Sequence, residues 1–450
     1  MDHSGNQEGA TGVPERTAHG HALALGAALV DWEVWRARAV VSAAAVAAGL
    51  TVVAFAWLSE QALALFFAGQ RACWWAPLLW TPLCTAAIVW VTRRYAAGAA
   101  GSGIPQVIAA LDSAVTPPER ARFVSLRLSL AKMVLTAWGL LAGLSLGREG
   151  PSVQIAAGIM LHADAYLPAR KRALVSAHGM LVAGGAAGIA AAFNTPLAGV
   201  MFAIEELART PEKRSSGLII AAIVLAGVIA VSVQGNGTYF GVIHAAPVGL
   251  ALLGPGLALA VLCGLAGGVF SRLLLAGLGG QGCDRASALR RARPVLFAFL
   301  CGALVALIGV ISHGTTFGSG YGVTRAMIAG SGTVPPVYAL LKFCATWLTT
   351  WAGVPAGVFA PSLAIGAAIG NDVALLVQQV HAPALIALGM VGFLAAVTQA
   401  PLTSFIIVME MVDGHAMVLS LMACALVARA VARLISPPLY PGLARMQLQA

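Results

Sequence analysis

Four long stretches of this sequence contain no charged side chain, which leaves few environments in which the chain can fold. They are residues 173–204, 215–271, 295–324 and 373–409. Each is longer than the roughly 20 apolar residues that a helix needs to cross a bilayer. Only 27 basic and 17 acidic residues occur in 450, whereas a soluble domain carries about a quarter charged residues. The sequence therefore predicts a multi-spanning membrane protein and excludes a soluble enzyme, a disordered chain and an ordinary nucleic-acid binder.

The formal net charge of +10 has a topological explanation. Most basic residues lie in short clusters between the apolar runs, such as 170–172 and 290–293. Loops on the cytoplasmic side of a membrane collect Lys and Arg, so we expect no nucleic-acid partner. The N-terminus is polar to about Thr17 and lacks the basic-then-apolar layout of a signal peptide. We expect residues 1–30 to be a cytoplasmic segment and residues 31–450 to form a single transmembrane domain.

The cysteine and histidine patterns predict no metal site. Seven cysteines occur without a CxxC pair, and six of them lie within or beside apolar segments, where Cys behaves as a small hydrophobic residue. Nine histidines are scattered without an HExxH motif.

Helices are the expected secondary structure, because lipid forbids unpaired backbone groups and no segment alternates as a barrel strand would. The chain contains 51 Gly and 22 Pro, which cut the apolar runs into pieces that are in several cases too short to span a bilayer. In transporters such breaks mark the substrate site, since the freed backbone must line a cavity or pack on protein.

Internal sequence matches predict that the chain is duplicated. Three pairs of segments match in order: GSG (101–103) with GSG (318–320), GREGP (147–151) with GVFAP (357–361), and NTPLAGVMFAIE (194–205) with QAPLTSFIIVME (399–410). We predict two repeats, about 30–215 and 250–435, with a substrate site at their interface. The matches alone leave open whether the repeats are inverted.

Three segments combine glycines with a proline at the start of a predicted helix. They are Gly101-Ser102-Gly103-Ile104-Pro105, Gly147-Arg148-Glu149-Gly150-Pro151 and Gly357-Val358-Phe359-Ala360-Pro361. Pro is favoured in the first helical turn, and Gly brings backbone N–H groups close to a ligand. A helix N-terminus carries free amides and about half a positive charge. Three such starts predict a site for a dehydrated anion, and three ordinary proline-capped helices are the alternative.

Glu149 lies in one of these breaks, within an otherwise apolar stretch. A charged side chain at the bilayer centre costs on the order of 3 kcal/mol, so we expect this glutamate to serve a function. Its carboxylate can occupy an anion site at helix N-termini as a tethered competitor, and protonation would release it. A simple ion pair with the neighbouring Arg148 is the alternative.

The motifs GSGIP, GREGP and GVFAP, followed by Tyr440 near the C-terminus, resemble the ClC family of chloride channels and transporters in kind and in order. The resemblance covers about residues 35–445. It implies a duplicated, inverted-repeat bundle of tilted and broken helices, and a homodimer with one anion pathway per subunit. It also implies a multi-pass protein of the bacterial inner membrane that moves chloride through the lipid bilayer without a cofactor.

The resemblance assigns roles to individual residues. Those expected at the chloride site are Ser102, Ile104, Glu149, Gly150, Val358, Phe359 and Tyr440. Ser102 and Tyr440 would act through their hydroxyls, and Val358 and Phe359 through backbone N–H groups. Glu149 would be the external gate and proton acceptor. From the residues alone, the alternative interpretation is that Ser102 is a helix N-cap and Tyr440 an aromatic residue at the membrane interface.

The repeat separates two adjacent glutamates. Glu205 corresponds to Glu410, so we interpret that pair as structural, bonding backbone N–H groups at similar helix ends. Glu206 corresponds to Met411 and is not explained by symmetry. In ClC exchangers a glutamate at this position relays protons from the cytoplasm, so the resemblance implies an internal proton site. A surface carboxylate beside Arg209 is the alternative.

The predicted function is chloride/proton antiport, and a passive, voltage- or pH-gated ClC chloride channel is the nearest alternative. Two departures raise that alternative: Gln106 stands where many members of the family have Glu, and Ile108 also lacks a carboxylate. We therefore expect Lys132 to have lost an ion-pair partner. Fluoride export fits Ser102 and Tyr440 less well. An intramembrane hydrolase would need a base near Ser102, and a receptor would not need three helix breaks.

Overall fold

The structure is a computed structural model that describes residues 32–167, 176–208, 216–235, 237–243, 252–279, 285–332, 334–377 and 382–449. The predicted cytoplasmic segment 1–30, the basic cluster 170–172 and Arg209 lie outside these residues. Within them the secondary structure is helical, and extended backbone pairs only in an isolated antiparallel bridge between Gly147 and Gly357.

Helices of very different length make up the described part of the chain. They are α1 (Trp32–Ala72), α2 (Pro77–Tyr95), α3 (Ile104–Ala110), α4 (Pro117–Arg120), α5 (Leu126–Leu141), α6 (Glu149–Ala163), α7 (Ala177–Phe193), α8 (Pro196–Phe202), α9 (Ser216–Gln234), α10 (Leu253–Leu278), α11 (Arg285–Ala292), α12 (Pro294–Ile311), α13 (Tyr321–Ile328), α14 (Tyr338–Trp351), α15 (Phe359–Leu376), α16 (Ala382–Thr398), α17 (Pro401–Met411), α18 (Val418–Arg433) and α19 (Leu439–Leu448). Six helical segments of the described residues are long and apolar enough to cross a membrane. Others are far shorter, such as α3 and α8 with seven residues each.

Prolines determine where several of the helices begin. Pro105, Pro196, Pro294 and Pro401 occupy the first or second position of α3, α8, α12 and α17. The missing N–H of proline costs no hydrogen bond there. Of these, Pro105 belongs to one of the three predicted motifs; in the other two motifs the helix begins two residues before the proline, at Glu149 and at Phe359.

Two helix pairs, α6 with α7 and α15 with α16, form the centre of the bundle. Glycines let their backbones approach closely: a Cβ added to Gly188 of α7 would lie 2.5 Å from Ser152 O of α6. A Cβ added to Gly366 of α15 would likewise lie 2.2 Å from Gly389 O of α16. Small residues at such crossings are typical of helix packing in membranes. The two pairs hold the starts of α6 and α15 in fixed positions.

Buried lysines make the same kind of contact in both halves of the chain. The bonds run from Lys132 Nζ in α5 to the carbonyl oxygens of Ala99 (2.8 Å) and Gly101 (2.6 Å), and from Lys342 Nζ in α14 to those of Thr316 (2.9 Å) and Gly318 (2.7 Å). These acceptors lie at the two GSG segments that the sequence matched. The contacts agree with a duplication, and the repeat boundaries stay a prediction.

Candidate anion site

The three helix starts with the glycine and proline motifs meet at one place, because their loops are hydrogen-bonded to one another. Gly147 N donates to Gly357 O over 2.8 Å, and Gly357 N donates to Gly147 O over 3.1 Å. Gly101 N donates to Val354 O over 3.2 Å, and Ala356 N donates to Gly101 O over 3.1 Å. A Cβ on Gly357 would come within 2.7 Å of Gly147 O. The crossing therefore requires glycine, and it places the first turns of α3, α6 and α15 together.

Ser102 lies at this junction with a buried hydroxyl that makes no hydrogen bond. The interpretation of Ser102 as the N-cap of α3 is wrong. Gly103, at φ 106°, is the N-cap, and the Gln106 side chain accepts from Gly103 N over 2.9 Å. Gly150 makes room for the serine, since a Cβ there would lie 2.3 Å from Ser102 Oγ. The hydroxyl is therefore not consumed by the helix that follows it.

Helix α19 brings Tyr440 to the same junction from the far end of the chain. The side chain is 1% exposed, and its hydroxyl makes no hydrogen bond. The ring stacks on Phe359 at 5.8 Å between centroids and 13° between planes. The hydroxyl faces Ser102 and lies within electrostatic range of Glu149 and Glu206. An interfacial aromatic would be exposed to the membrane surface, so that alternative is wrong.

Backbone groups at the helix starts complete the junction. Ile104 is the first residue of α3, Phe359 is the first of α15, and Val358 is the N-cap of α15. Gly150 lies in the first turn of α6. The first N–H groups of a helix have no acceptor within that helix. The buried first turns thus offer amide donors beside the Ser102 and Tyr440 hydroxyls.

Glu149 begins α6 and is completely buried. Its Oε2 occupies the space that a Cβ on Gly147 would need, 2.3 Å away. The backbone N–H groups of Glu149, Arg148 and Ala360 face the carboxylate, although none completes a hydrogen bond of good geometry. The carboxylate thus lies at the starts of α6 and α15, the kind of position that the sequence predicted for an anion.

Arg148 does not pair with Glu149, so the ion-pair interpretation of the sequence is wrong. Its Nη1 donates to Glu60 Oε1 over 2.7 Å and to Ala56 O over 2.9 Å, both in α1. The side chain of Tyr239 lies beside the guanidinium. A cavity of about 380 Å³ is lined by Glu60, Arg148, Glu149 and Tyr239, among others. Glu60 and Tyr239 belong to no motif, and sequence reasoning missed them.

Glu205 and Glu410 bond to helix starts in the opposite half of the chain. Four bonds connect them: Glu205 accepts from Leu402 N (3.2 Å) and Thr403 N (2.7 Å) in α17, and Glu410 accepts from Leu197 N (3.3 Å) and Ala198 N (2.7 Å) in α8. The predicted hydrogen bonds of this pair are confirmed. Glu206 lies in the π-helical turn Ala203–Ala208 and is only 6% exposed. Its burial contradicts the interpretation as a surface carboxylate.

The two departures at α3 are compensated by backbone groups. The Nζ of Lys132 donates to the two carbonyl oxygens of Ala99 and Gly101. The Gln106 side chain accepts from Gly103 N and donates to Ala100 O. Ile108 packs against the hydrophobic core. The loop before α3 is therefore held by hydrogen bonds whose acceptors are uncharged carbonyl and amide oxygens.

Comparison with known proteins decides the family. The family model described as voltage gated chloride channel matches residues 83–433. The H(+)/Cl(-) exchange transporter ClcA of Salmonella agona is 32% identical over 369 residues, covering 78% of this chain and 74% of the relative. The same figures hold for the ClcA transporter of Salmonella dublin.

The chain belongs to the ClC family. Its fold is also that of solved ClC proteins. A slow cyanobacterial Cl-/H+ antiporter gives a TM-score of 0.79 at 24% identity, over 92% of this chain and 98% of that one. A CLC-type fluoride/proton antiporter gives 0.73 at 21% identity, over 89% and 97%. The predicted family and the predicted multi-spanning helical ClC fold are both confirmed.

The ClC fold brings the predicted site residues together from four separate segments of the chain. Ser102, Glu149, Phe359 and Tyr440 lie at one buried junction, although more than 300 residues separate the first from the last. Their roles in transport stay predictions.

Proposed function

We propose that this ClC chain is an antiporter that exchanges chloride for protons across the membrane. The observation that carries the proposal is the convergence of three buried oxygen-bearing groups without hydrogen bonds, Ser102 Oγ, the Glu149 carboxylate and Tyr440 OH, at three helix starts. Buried polar groups are normally hydrogen-bonded, and two hydroxyl donors beside free amides suit an anion. The relatives named H(+)/Cl(-) exchange transporter ClcA also support exchange of chloride for protons.

Chloride would be held by weak dipoles and by no full positive charge. The Ser102 and Tyr440 hydroxyls donate to it, together with backbone N–H groups at the starts of α3 and α15 near Ile104, Val358 and Phe359. Helix N-termini attract an anion through about half a unit of charge. Without a fixed cation in contact, the ion binds firmly enough to lose water and weakly enough to leave.

Glu149 would act as the gate and the outer proton acceptor. While ionised, its carboxylate occupies an anion position at the starts of α6 and α15. Protonation removes the charge that the helix starts attract, so the side chain leaves and chloride takes its place. Because the same carboxylate competes with chloride and carries the proton, the two movements are coupled in opposite directions.

Glu206 would supply protons from the other side. It is buried one turn beyond α8, within electrostatic range of Tyr440, whose ring stacks on Phe359. A buried carboxylate that symmetry does not require fits a proton relay. Protons would thus pass between Glu206 and Glu149 along a route beside the chloride path.

The reversal potential of reconstituted protein under opposed chloride and proton gradients tests the proposal. We expect a value between the chloride and proton equilibrium potentials. Glu149→Gln, which mimics a permanently protonated gate, should abolish proton movement while chloride still moves. Glu119→Gln is the matched control, because Glu119 is exposed and bonds only within its own turn. A pure chloride Nernst potential in the wild type would instead favour a passive channel, and proton pumping by Glu149→Gln would remove Glu149 from the mechanism.

We propose further that the protein works as a homodimer in a bacterial inner membrane, with residues 1–30 in the cytoplasm. The family resemblance supports the dimer, and the positions of the basic clusters support the orientation. Labelling of a cysteine introduced near the N-terminus in intact cells and in inverted vesicles tests the orientation. Cross-linking in native membranes tests the dimer.

A further inference from the structure

The cavity of about 380 Å³ beside Glu149 is lined by two carboxylates and one arginine, Glu60, Glu149 and Arg148, and of the two carboxylates only Glu60 is paired with the arginine. Arg148 Nη1 serves both Glu60 Oε1 and Ala56 O, so α1 holds the guanidinium through one nitrogen. Arg148 Nε is buried and makes no hydrogen bond. The carboxylate of the next residue, Glu149, is also buried and makes none. Two opposite charges on adjacent residues are thus kept from bonding each other.

The arrangement needs an explanation, because an unpaired buried charge is costly and arginine pairs strongly with carboxylates, frequently through two bonds. The pair that does form is the more exposed one: the Glu60 side chain is 64% exposed and that of Arg148 is 11% exposed. Contacts from α1 hold Arg148 away from the gate. The charged and titratable groups that face Arg148 and Glu149 are Glu60 from α1, Tyr239 from segment 237–243, Tyr321 behind Tyr239, and Tyr440 from α19.

We propose that Glu60 is a positioning residue for the gate. By holding Arg148 on α1, Glu60 prevents the guanidinium from pairing with the Glu149 carboxylate, and the carboxylate stays free to leave its position and take up a proton. The inference rests on the proposed gating role of Glu149. Tyr239, beside the guanidinium, carries no charge that could replace Glu60 in this role at neutral pH.

Glu60→Gln tests the proposal, because it removes the charge that competes for Arg148 and keeps the size of the side chain. Arg148 then turns to Glu149 and holds the gate closed. We expect coupled exchange in liposomes to fall roughly tenfold, because one additional charge-assisted bond between Arg148 and Glu149 must then break before the carboxylate can leave. Exchange should also need a more acidic external solution, since an ionised carboxylate paired with Arg148 takes up a proton less readily. Glu60→Asp, which keeps the charge, should restore most of the rate and the wild-type pH profile.

A double variant separates gating from a general structural effect. In the Glu149→Gln background no carboxylate remains for Arg148 to hold, so adding Glu60→Gln should leave uncoupled chloride flux unchanged. An equal loss of flux in both backgrounds, or wild-type exchange in Glu60→Gln, would overturn this inference alone. Retained proton coupling in Glu149→Gln would overturn the proposed gate and this inference together. Glu119→Gln controls for loss of one negative charge.

Discussion

Glu205 and Glu410 offer the sharpest test of how the structure separates stability from transport. Each carboxylate accepts two backbone N–H bonds at the start of a helix in the other half of the chain, with shorter bonds of 2.7 Å in both cases. Substitution by Gln keeps one acceptor oxygen and loses one bond and the negative charge. A bond to a charged group contributes about 1.5–3 kcal/mol, and an anion at a helix N-terminus about 0.3–1 kcal/mol. We therefore expect each substitution to lower the free energy of unfolding by roughly 2–4 kcal/mol.

The matched comparison is Glu206→Gln, at the adjacent position. Glu206 makes neither of the bonds from Leu402 and Thr403 that hold Glu205. Thermal unfolding of the three purified variants in detergent should show similar losses for Glu205→Gln and Glu410→Gln, and a clearly smaller one for Glu206→Gln. Flux in liposomes should show the reverse order, with proton movement kept in the first two and lost in the third.

Two results would refute this reasoning. Proton loss in Glu205→Gln with coupling kept in Glu206→Gln would show that the two adjacent glutamates were assigned the wrong way round. Very unequal stability losses in Glu205→Gln and Glu410→Gln would show that the matching bonds do not stabilise the two halves equally.

The remaining predictions concern the anion junction and the lysines. Gly150→Ala places a Cβ 2.3 Å from Ser102 Oγ, so calorimetry should show weakened chloride binding. Ser102→Pro removes a hydroxyl donor, and the ratio of nitrate to chloride flux should rise; an unchanged ratio would exclude Ser102 as an anion ligand. Lys132→Met and Lys342→Met each remove a donor to two buried carbonyl oxygens, and both should lower the unfolding temperature. Chloride affinity should fall only for Lys132→Met, because the carbonyl of Gly101 begins the anion loop.

Features that repeat or punctuate the chain could be predicted from the sequence. Proline and glycine fix helix starts through backbone geometry alone, so α3, α6 and α15 begin within the three motifs. The match of Glu205 to Glu410 predicted that both bond to helix ends, and the structure shows these bonds. In each case the prediction depends on a few neighbouring residues or on a segment that occurs in both halves of the chain.

Contacts between distant segments could not be predicted where one of the two segments carries no motif. Glu60 and Arg148 are 88 residues apart, and Glu60 is one of two carboxylates in a 41-residue helix, with no motif around it. The sequence alone offers Ser102 as an alternative N-cap of α3, because serine is a common N-cap. In the structure Gly103 is the N-cap, the Gln106 side chain accepts from its N–H, and the serine hydroxyl makes no bond to the helix. Residue preferences at helix ends do not reveal a glutamine side chain that folds back from the first turn onto the N-cap residue.

The two buried lysines, Lys132 and Lys342, show whether the absence of a carboxylate at Gln106 and Ile108 favours a passive channel. The absence of carboxylates at Gln106 and Ile108 would weaken the loop before α3 if Lys132 needed an ion-pair partner there. Lys342 provides the comparison within the same molecule. It is equally buried, and among the described residues it also bonds two carbonyl oxygens and no carboxylate. A contact that holds a GSG segment in both halves is a requirement of the fold, because each ammonium satisfies carbonyls that the sharp glycine turns leave without helical partners. The absence of carboxylates at Gln106 and Ile108 is therefore not evidence against proton coupling. The distinction between antiporter and channel depends on Glu149 and Glu206.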